Sequence, residues 1–276
     1  MPSFISRFVH ALLILTLTIA ASHASFARAS EQVVNVPLER GASIAYLLTQ
    51  QDVSQPKWVL VMFPGSEGDL ELSTQPDGSI HVREKNNFLI RARALFVDAQ
   101  FATAIVDAPS DQPGGYSDAF RASPRSAQDL ARVAADLHTR FPQAKLVLVG
   151  TSRGTISTAF VGRALPQVWD AVVHTSTLSS PARGQATPLV GFHYGAIRAR
   201  QLYVHHADDG CFLCSYEALK RIAESGQYPL ITVHGGDVRS KPCEALSHHG
   251  FYGRDEAVVT AIKAWISGQP WQDDVG

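Results

Sequence analysis

Short, mostly apolar runs alternate with longer amphipathic stretches along the chain, and this alternation constrains the fold more than any other sequence feature. Runs with so little polar alternation are typical of strands that are buried on both faces. Their placement between helical stretches predicts a parallel sheet with helices on both faces. The predicted strands cover residues 33–36, 44–48, 58–63, 101–106, 145–149, 171–174, 201–205 and 230–233.

The helical stretches carry their own start and stop signals. Ser123 and Pro124 supply an N-cap and a first-turn proline, and Pro142 ends the helix that follows. The last helix is predicted to begin near Asp255 and to end at Gly268. Two more helices are predicted over residues 87–98 and 216–224.

Two connections, residues 66–86 and 177–200, are long for a compact domain. Connections of this length often cover a functional site, but they can equally be inert surface excursions. The sequence leaves both interpretations open.

The first 29 residues have the pattern of an export signal. Arg7 precedes an uncharged apolar run over residues 8–21, and residues 27–29 have the small-x-small pattern at which a signal peptidase cleaves. Cleavage after Ala29 is preferred, with residues 22–24 as the alternative. The apolar run is shorter than the about 20 residues of a spanning helix, so no membrane span is expected after cleavage. We predict a secreted or periplasmic protein with a signal peptide over residues 1–29 and one domain over residues 30–276.

The charge balance argues against nucleic acid as a partner. The formal net charge is -1, and charged residues make up 18% of the chain. The sequence therefore has neither a basic surface for phosphates nor an acidic tail.

The chain contains three cysteines, Cys211, Cys214 and Cys243, and two of them are expected to pair in an oxidising compartment. A disulfide to Cys243 is favoured, with Cys211 as the preferred partner. The spacing of Cys211 and Cys214 also occurs in redox motifs, but no thioredoxin-like unit surrounds it. The close Cys/His spacing of structural zinc sites is missing, so no metal and no other cofactor is predicted.

Gly150-Thr151-Ser152-Arg153-Gly154 joins a predicted strand to a helical run that ends before Pro166. A serine on such a sharp turn needs small residues two positions before and after it, and both are glycine here. A plain turn serine that caps a helix is the alternative. The strand–turn–helix setting favours Ser152 as a nucleophile.

A serine hydroxyl becomes a good nucleophile only when a base removes its proton, and histidine is the usual base. His249 lies between the last predicted strand and the last helix, where a loop can carry an imidazole to the serine. His249 is the favoured base, and His248 is the alternative.

The acid that orients the base should follow a strand that lies between the serine and the histidine in sequence. Asp208 and Asp209 follow such a strand. Asp209 is favoured because it lies further along the turn, and Asp208 then has the common role of a turn residue. Asp237 is a third candidate. A disulfide from Cys211 to Cys243 would tie the acid loop to the histidine loop.

An acyl-transfer site also needs backbone N–H groups that stabilise the negatively charged oxygen of the tetrahedral intermediate. The N–H of Arg153, next to the nucleophile, is one candidate. The N–H of Ser66 is the other, because Ser66 follows the strand over residues 58–63 and the adjacent Gly65 allows close backbone approach.

Three segments, Phe63-Pro64-Gly65-Ser66, residues 150–154 and His249-Gly250-Phe251, make the chain resemble the α/β-hydrolase superfamily over nearly all of residues 30–276. The last segment resembles exported hydrolases of the dienelactone-hydrolase-like kind. The resemblance implies an α/β-hydrolase fold with a mostly parallel, eight-stranded sheet, and metal-independent hydrolysis through an acyl-enzyme.

Two departures from the superfamily pattern are visible. Pro64-Gly65 stands where His-Gly is usual, which puts the geometry of the N–H donors in question. Serine at the nucleophile position argues against a true dienelactone hydrolase and against a haloalkane dehalogenase.

Together these features predict a carboxylesterase-like serine hydrolase that acts on a small-molecule ester or acyl substrate. A serine peptidase or amidase with the same site is one alternative. A non-catalytic binding protein that retained the fold is another.

Overall fold

The computed structural model describes residues 29–51, 55–180 and 188–276. Apart from Ala29, the predicted signal peptide lies outside the described residues, so its cleavage stays a prediction. Among the described helices, none is both long enough and apolar enough to cross a membrane.

The elements of the described residues follow one another in a strand–helix alternation. The strands are β1 (Ala29–Pro37), β2 (Ser43–Gln51), β3 (Trp58–Phe63), β4 (Ser73–Thr74), β5 (Ile80–His81), β6 (Phe101–Val106), β7 (Lys145–Thr151), β8 (Ala171–Thr175), β9 (Arg200–His206), β10 (Leu230–Val233) and β11 (Asp274–Val275). The α-helices are α1 (Phe88–Arg91), α2 (Arg93–Phe96), α3 (Asp118–Arg121), α4 (Pro124–Arg140), α5 (Gly154–Ala164), α6 (Tyr216–Gly226) and α7 (Asp255–Ser267), with 3-10 turns at Tyr194–Ala196 and His248–Gly250.

One large sheet organises the fold. It contains nine of the described strands in the order β1-β2-β6-β3-β7-β8-β9-β10-β11. β2 pairs antiparallel with β1 and with β6, and the other neighbouring pairs run parallel. β4 and β5 form a separate antiparallel pair. The predicted fold class, α/β with a mostly parallel sheet and helices on both faces, is confirmed.

All of the predicted strands are present, but the sheet has nine strands where the resemblance implies eight. The additional strand is β11, which pairs parallel with β10 at one edge of the sheet. A two-residue strand is too short to show the hydrophobic pattern from which strands are predicted.

The hydrophobic core lies on both faces of the sheet, and β3 shows why. All of its residues are buried, and its side chains alternate between the faces, with Val59 and Val61 on one and Leu60 and Met62 on the other. Apolar side chains of α4 and α5 pack on the first face, and those of α1, α2 and α7 pack on the second.

The helix starts follow the local sequence. Ser123 caps α4 by accepting a hydrogen bond from the Ser126 N–H at 3.2 Å, and Pro124 takes the first helical position. The helix predicted over residues 87–98 is two short helices instead. The break lies at Ala92, whose carbonyl accepts the Leu95 N–H in a tight three-residue turn.

The long connection over residues 66–86 is fixed to the end of β6. The carboxylate of Asp107 accepts the N–H of Leu70 at 2.7 Å and the N–H of Leu72 at 2.9 Å. The tip of this connection is the β4–β5 hairpin, where the Asp77 side chain accepts the Ser79 N–H at 2.9 Å, a contact typical of aspartate in turns. The other long connection, residues 177–200, is described only over 177–180 and 188–200.

Candidate active site

Ser152 lies at the sharp turn between β7 and α5. Its φ of 73° falls in the left-handed region, which is strained for a residue other than glycine. A Cβ on Gly150 would lie 2.6 Å from the carbonyl oxygen of Gly154, and one on Gly154 would lie 2.0 Å from the carbonyl oxygen of Phe63. The close backbone contacts of this turn therefore require both glycines.

The hydroxyl of Ser152 faces His249, and Oγ lies 3.0 Å from Nε2 of the ring. His249 belongs to the 3-10 turn His248–Gly250, and its backbone is held on both sides. Its N–H donates to Ser247 Oγ at 3.2 Å, and its carbonyl accepts from Ser176 Oγ at 2.6 Å. A ring held in this position can accept the serine proton directly.

Asp209 lies on the other side of the His249 ring. Its Oδ2 lies 2.9 Å from Nδ1 of His249, and its side chain is fully buried. Because a carboxylate only accepts hydrogen bonds, Nδ1 carries the proton and Nε2 is left to accept from Ser152. Burial raises the pKa of Asp209, but hydrogen bonds from His205 and His249 outweigh burial and hold the pKa well below its usual value.

The alternative acid and base, Asp208 and His248, take part in other contacts. Asp208 is exposed, and its backbone N–H donates to Nδ1 of His206 at 3.0 Å. His248 stacks on His206 with 4.1 Å between the ring centroids, and its Nδ1 donates to the Asp208 carbonyl at 3.2 Å. Neither side chain bonds to Ser152 within the described part of the chain.

The two predicted N–H donors belong to Ser66 and Arg153. In the described residues, neither of these backbone N–H groups has a hydrogen-bond acceptor. The turn that carries Ser66 lies against the nucleophile, because a Cβ on Gly65 would be 2.9 Å from Cβ of Ser152. Two unpaired N–H groups beside a nucleophile are suited to a developing negative charge.

A disulfide joins Cys211 to Cys243, the pair that the sequence favours. It connects the loop that carries Asp209 to the loop that carries His249. Cys214 is free and buried. Burial and the nearby Asp209 charge raise the pKa of the Cys214 thiol well above its usual value, so this thiol is protonated at neutral pH.

Two groups in the described residues place metal-ligating atoms within 4.8 Å of one another: Cys211, Cys214 and His249, and His206, Asp208 and His248. The first group does not suit a metal, because the Cys211 sulfur is in the disulfide. In the second, both nitrogens of His206 are occupied, since Nε2 donates to the Gly235 carbonyl at 2.7 Å and Nδ1 accepts the Asp208 N–H. A metal would have to displace these hydrogen bonds.

A cavity of about 180 Å³ opens beside Ser152. The carboxylates that line it belong to Glu84 and Glu244, both exposed, and its described lining residues include no lysine or arginine. The remaining lining residues are Gly65, Ser66, Asn87, Phe88, Thr151, Ser152, Cys243, Ala245, His249 and Gly250. The space next to the nucleophile is therefore small and carries negative charge.

The sequence does not single out two buried residues near the site. His205 places Nε2 3.3 Å from Oδ2 of Asp209 and 2.9 Å from the Cys214 carbonyl oxygen. Arg121 donates to the carbonyl oxygen of Ser66. His205 could have been found from sequence, because it lies at a strand end four residues before Asp209. The contact of Arg121 depends on tertiary packing, which no local pattern encodes.

The amino-acid sequence matches no protein-family model and no curated protein. The structure is similar to many solved structures. An α/β serine hydrolase without a lid from Xanthomonas campestris shares 12% identity and a TM-score of 0.55, and the match covers 88% of this chain and 97% of that chain. Est1E from Butyrivibrio proteoclasticus shares 14% identity and a TM-score of 0.56, with coverages of 86% and 98%.

The esterase domain of a Rhodothermus marinus protein shares 15% identity and a TM-score of 0.53, and the match covers 86% of this chain and 97% of that chain. Similarity at this level of identity concerns the fold. The chain therefore has the α/β-hydrolase fold that the sequence predicts.

Proposed function

We propose that this chain, whose fold is that of the α/β serine hydrolases, hydrolyses carboxylic esters through an acyl-enzyme formed on Ser152. One observation carries the proposal. The hydrogen-bonded series from Asp209 through His249 to Ser152 ends beside two backbone N–H groups that have no acceptor in the described chain. This is the combination that acyl transfer needs: an activated nucleophile and donors for the oxyanion.

In the first half of the proposed reaction, Ser152 Oγ attacks the ester carbonyl carbon while its proton moves to His249 Nε2. Asp209 stabilises the imidazolium that forms. The tetrahedral intermediate then collapses, the C–O bond to the alcohol breaks, and His249 gives its proton to the leaving alcohol. Ser152 is left acylated.

In the second half, a water molecule attacks the acyl carbon and gives its proton to His249. The bond between the acyl carbon and Ser152 Oγ breaks, and the proton returns from His249 to the serine oxygen. The carboxylic acid leaves and the enzyme is restored. In both halves the N–H groups of Ser66 and Arg153 would stabilise the oxyanion, a contribution that amounts to about 100- to 1,000-fold per donor in other hydrolases.

An ester is the substrate class that the comparisons favour, because one of the compared structures is named as an esterase domain. The same groups could cleave amides, since a fold does not determine a substrate. The small cavity beside Ser152 suits a compact acyl group.

A fluorophosphonate probe tests the proposed nucleophile. We expect it to label the wild-type protein and to leave Ser152→Ala unlabelled. A panel of 4-nitrophenyl esters of increasing acyl length, run beside a 4-nitroanilide, then tests the substrate class. Absence of labelling would favour a non-catalytic binding protein, and faster turnover of the anilide would favour an amidase.

We also propose that the mature protein works outside the cytoplasm. The disulfide between Cys211 and Cys243 supports export, because disulfides persist in oxidising compartments. Sequencing the N-terminus of protein exported by a bacterial host should give Ser30 as the first residue. An intact N-terminus on exported protein would contradict the predicted cleavage after Ala29.

A further inference from the structure

Arg121, the last residue of α3, is a fully buried cation without a bound carboxylate. Its side chain has no exposed surface. In the described residues no aspartate or glutamate bonds to its guanidinium, and its Nε has no partner. Burial lowers the pKa of Arg121 to about 10, so the side chain is still charged at neutral pH. A buried charge of this kind costs stability, and a functional role would explain why it is kept.

The guanidinium joins two segments of the candidate active site. Nη2 donates to the carbonyl oxygen of Ser66 at 3.2 Å, and Nη1 donates to the hydroxyl of Ser157 at 3.0 Å. Ser66 lies in the turn after β3, and Ser157 lies in the first turn of α5. Arg121 therefore connects the turn that carries one proposed oxyanion donor to the helix that follows the other.

The surroundings hold the guanidinium in this position. Its central carbon lies 4.6 Å from the centroid of the Tyr116 ring, and the Tyr116 hydroxyl is itself fixed by the Asp107 carbonyl at 3.0 Å. A Cβ on Gly68 would lie 2.8 Å from Nη2 of Arg121. The glycine therefore leaves room for the guanidinium, and the aromatic ring favours a cation at this place.

The geometry points to Arg121 as a positioning residue that sets the separation of the two oxyanion donors, the N–H groups of Ser66 and Arg153. This inference rests on the proposed function. Ser66 has a φ of 49°, a conformation that a serine adopts rarely and that needs support from its surroundings. The hydrogen bond from Arg121 to the Ser66 carbonyl supplies such support.

Kinetics of three variants with a 4-nitrophenyl ester test the inference. Arg121→Met removes the charge and both hydrogen bonds, Arg121→Lys keeps the charge but cannot span both partners, and Ser157→Ala removes one partner. Because the donors act on the transition state, we expect kcat of Arg121→Met to fall about 10- to 100-fold with KM changed less than about twofold. The other two variants should be intermediate.

Arg125→Met is the matched control, because Arg125 lies four residues away and pairs with Asp111 outside the site. Its kcat should equal that of wild type. Circular dichroism and thermal unfolding identify the folded variants, and Arg121→Lys and Ser157→Ala decide the question if Arg121→Met does not fold. Folded Arg121 and Ser157 variants with wild-type kcat, or with a changed KM alone, would overturn the inference.

The outcomes separate this inference from the proposed function. Equal ester hydrolysis by wild type and Ser152→Ala would contradict the proposed function, and the proposed role of Arg121 would fail with it. If wild type is active, Ser152→Ala is inactive and the Arg121 variants are fully active, only the proposed role of Arg121 is contradicted.

Discussion

Asp208 and Asp209 are neighbours in sequence, but only the side chain of Asp209 is fully buried and bonded to His249. The carboxylate of Asp209 also accepts the Cys211 N–H at 2.9 Å, which fixes its orientation. Asp208 is exposed, and its hydrogen bonds to His206 and His248 are made by its backbone. At the scale of single residues, burial and orientation decide which carboxylate can serve the base.

Asparagine at the two positions separates these roles. We expect Asp209→Asn to lower kcat by roughly 10,000-fold, because an amide does not stabilise the imidazolium and favours the wrong histidine tautomer. Asp208→Asn should stay within about twofold of wild type. Steady-state turnover of a 4-nitrophenyl ester measures both, and a larger loss in Asp208→Asn would mean that the acid is assigned to the wrong residue.

The carboxylates of Glu84 and Glu244 should make the protein prefer neutral substrates to negatively charged ones. Both line the cavity beside Ser152, whose described lining includes no lysine or arginine, so a negatively charged acyl group would be repelled there. We expect kcat/KM for a neutral butanoyl ester to exceed that for the matching hemisuccinate by about tenfold at low salt.

The double variant Glu84→Gln/Glu244→Gln should reduce this preference to about threefold or less, and added salt should reduce it in wild type. Thermal unfolding of the variant serves as the control, because exposed side chains contribute little to stability. An unchanged preference in a folded variant would show that the two carboxylates do not select the substrate.

At the scale of elements, the site depends on two loops after β9 and β10 that the Cys211–Cys243 disulfide ties together. The sequence separation of the two cysteines is 32 residues. A crosslink of this span stabilises a protein by about 3 to 4 kcal/mol in the chain-entropy account. Without the disulfide, the distance between Asp209 and His249 should also vary more.

We expect Cys211→Ser/Cys243→Ser to unfold at a lower denaturant concentration than wild type and to lose about tenfold in kcat. Dithiothreitol should lower the stability of wild type to that of the double variant. It should leave the stability of the double variant unchanged, so the double variant controls for other effects of the reductant. Equal stability of oxidised wild type and the double variant would show that the disulfide does not support the fold.

The elements themselves were largely predictable from sequence, because strands buried on both faces leave continuous apolar runs, as in β3, β6 and β7. Prediction was wrong where the pattern is short or broken. β11 has two residues, and the predicted helix over residues 87–98 divides at Ala92. Both features depend on contacts with neighbouring elements.

The residues brought together at Ser152 were predictable because each follows a strand, and parallel strands end at one edge of the sheet. Ser152 follows β7, and Asp209 follows β9. The nearness of Arg121 was not predictable, because it comes from the packing of α3 against α5 and the turn after β3. The common edge at which parallel strands end can be inferred from sequence, whereas the contact of two short segments far apart in the chain cannot.

At the scale of the whole molecule, a buried histidine couples stability to pH. His174 in β8 has no exposed surface, stacks on Tyr203 with 5.0 Å between ring centroids, and bonds through Nδ1 to Thr158 at 3.0 Å. Burial lowers the pKa of His174 from 6.5 to about 3, so the folded protein holds this ring neutral.

The sign of the effect follows from proton binding. Between pH 6.5 and about 3 the unfolded chain binds a proton at His174 that the folded protein does not, so acid favours unfolding over this interval. The free energy of unfolding should fall by about 1.4 kcal/mol for each pH unit through this residue, and the loss is complete below about pH 3.

His174→Phe keeps a ring against Tyr203 but removes the titrating group. Urea unfolding of both proteins at pH 4, 5 and 6 should show a slope of stability against pH that is smaller in the variant by about 1.4 kcal/mol per pH unit. His138→Gln, at an exposed position on α4, should keep the wild-type slope. Equal slopes in wild type and His174→Phe would mean that the folded protein accepts the proton at His174, and so that the packing between β8 and β9 opens in acid.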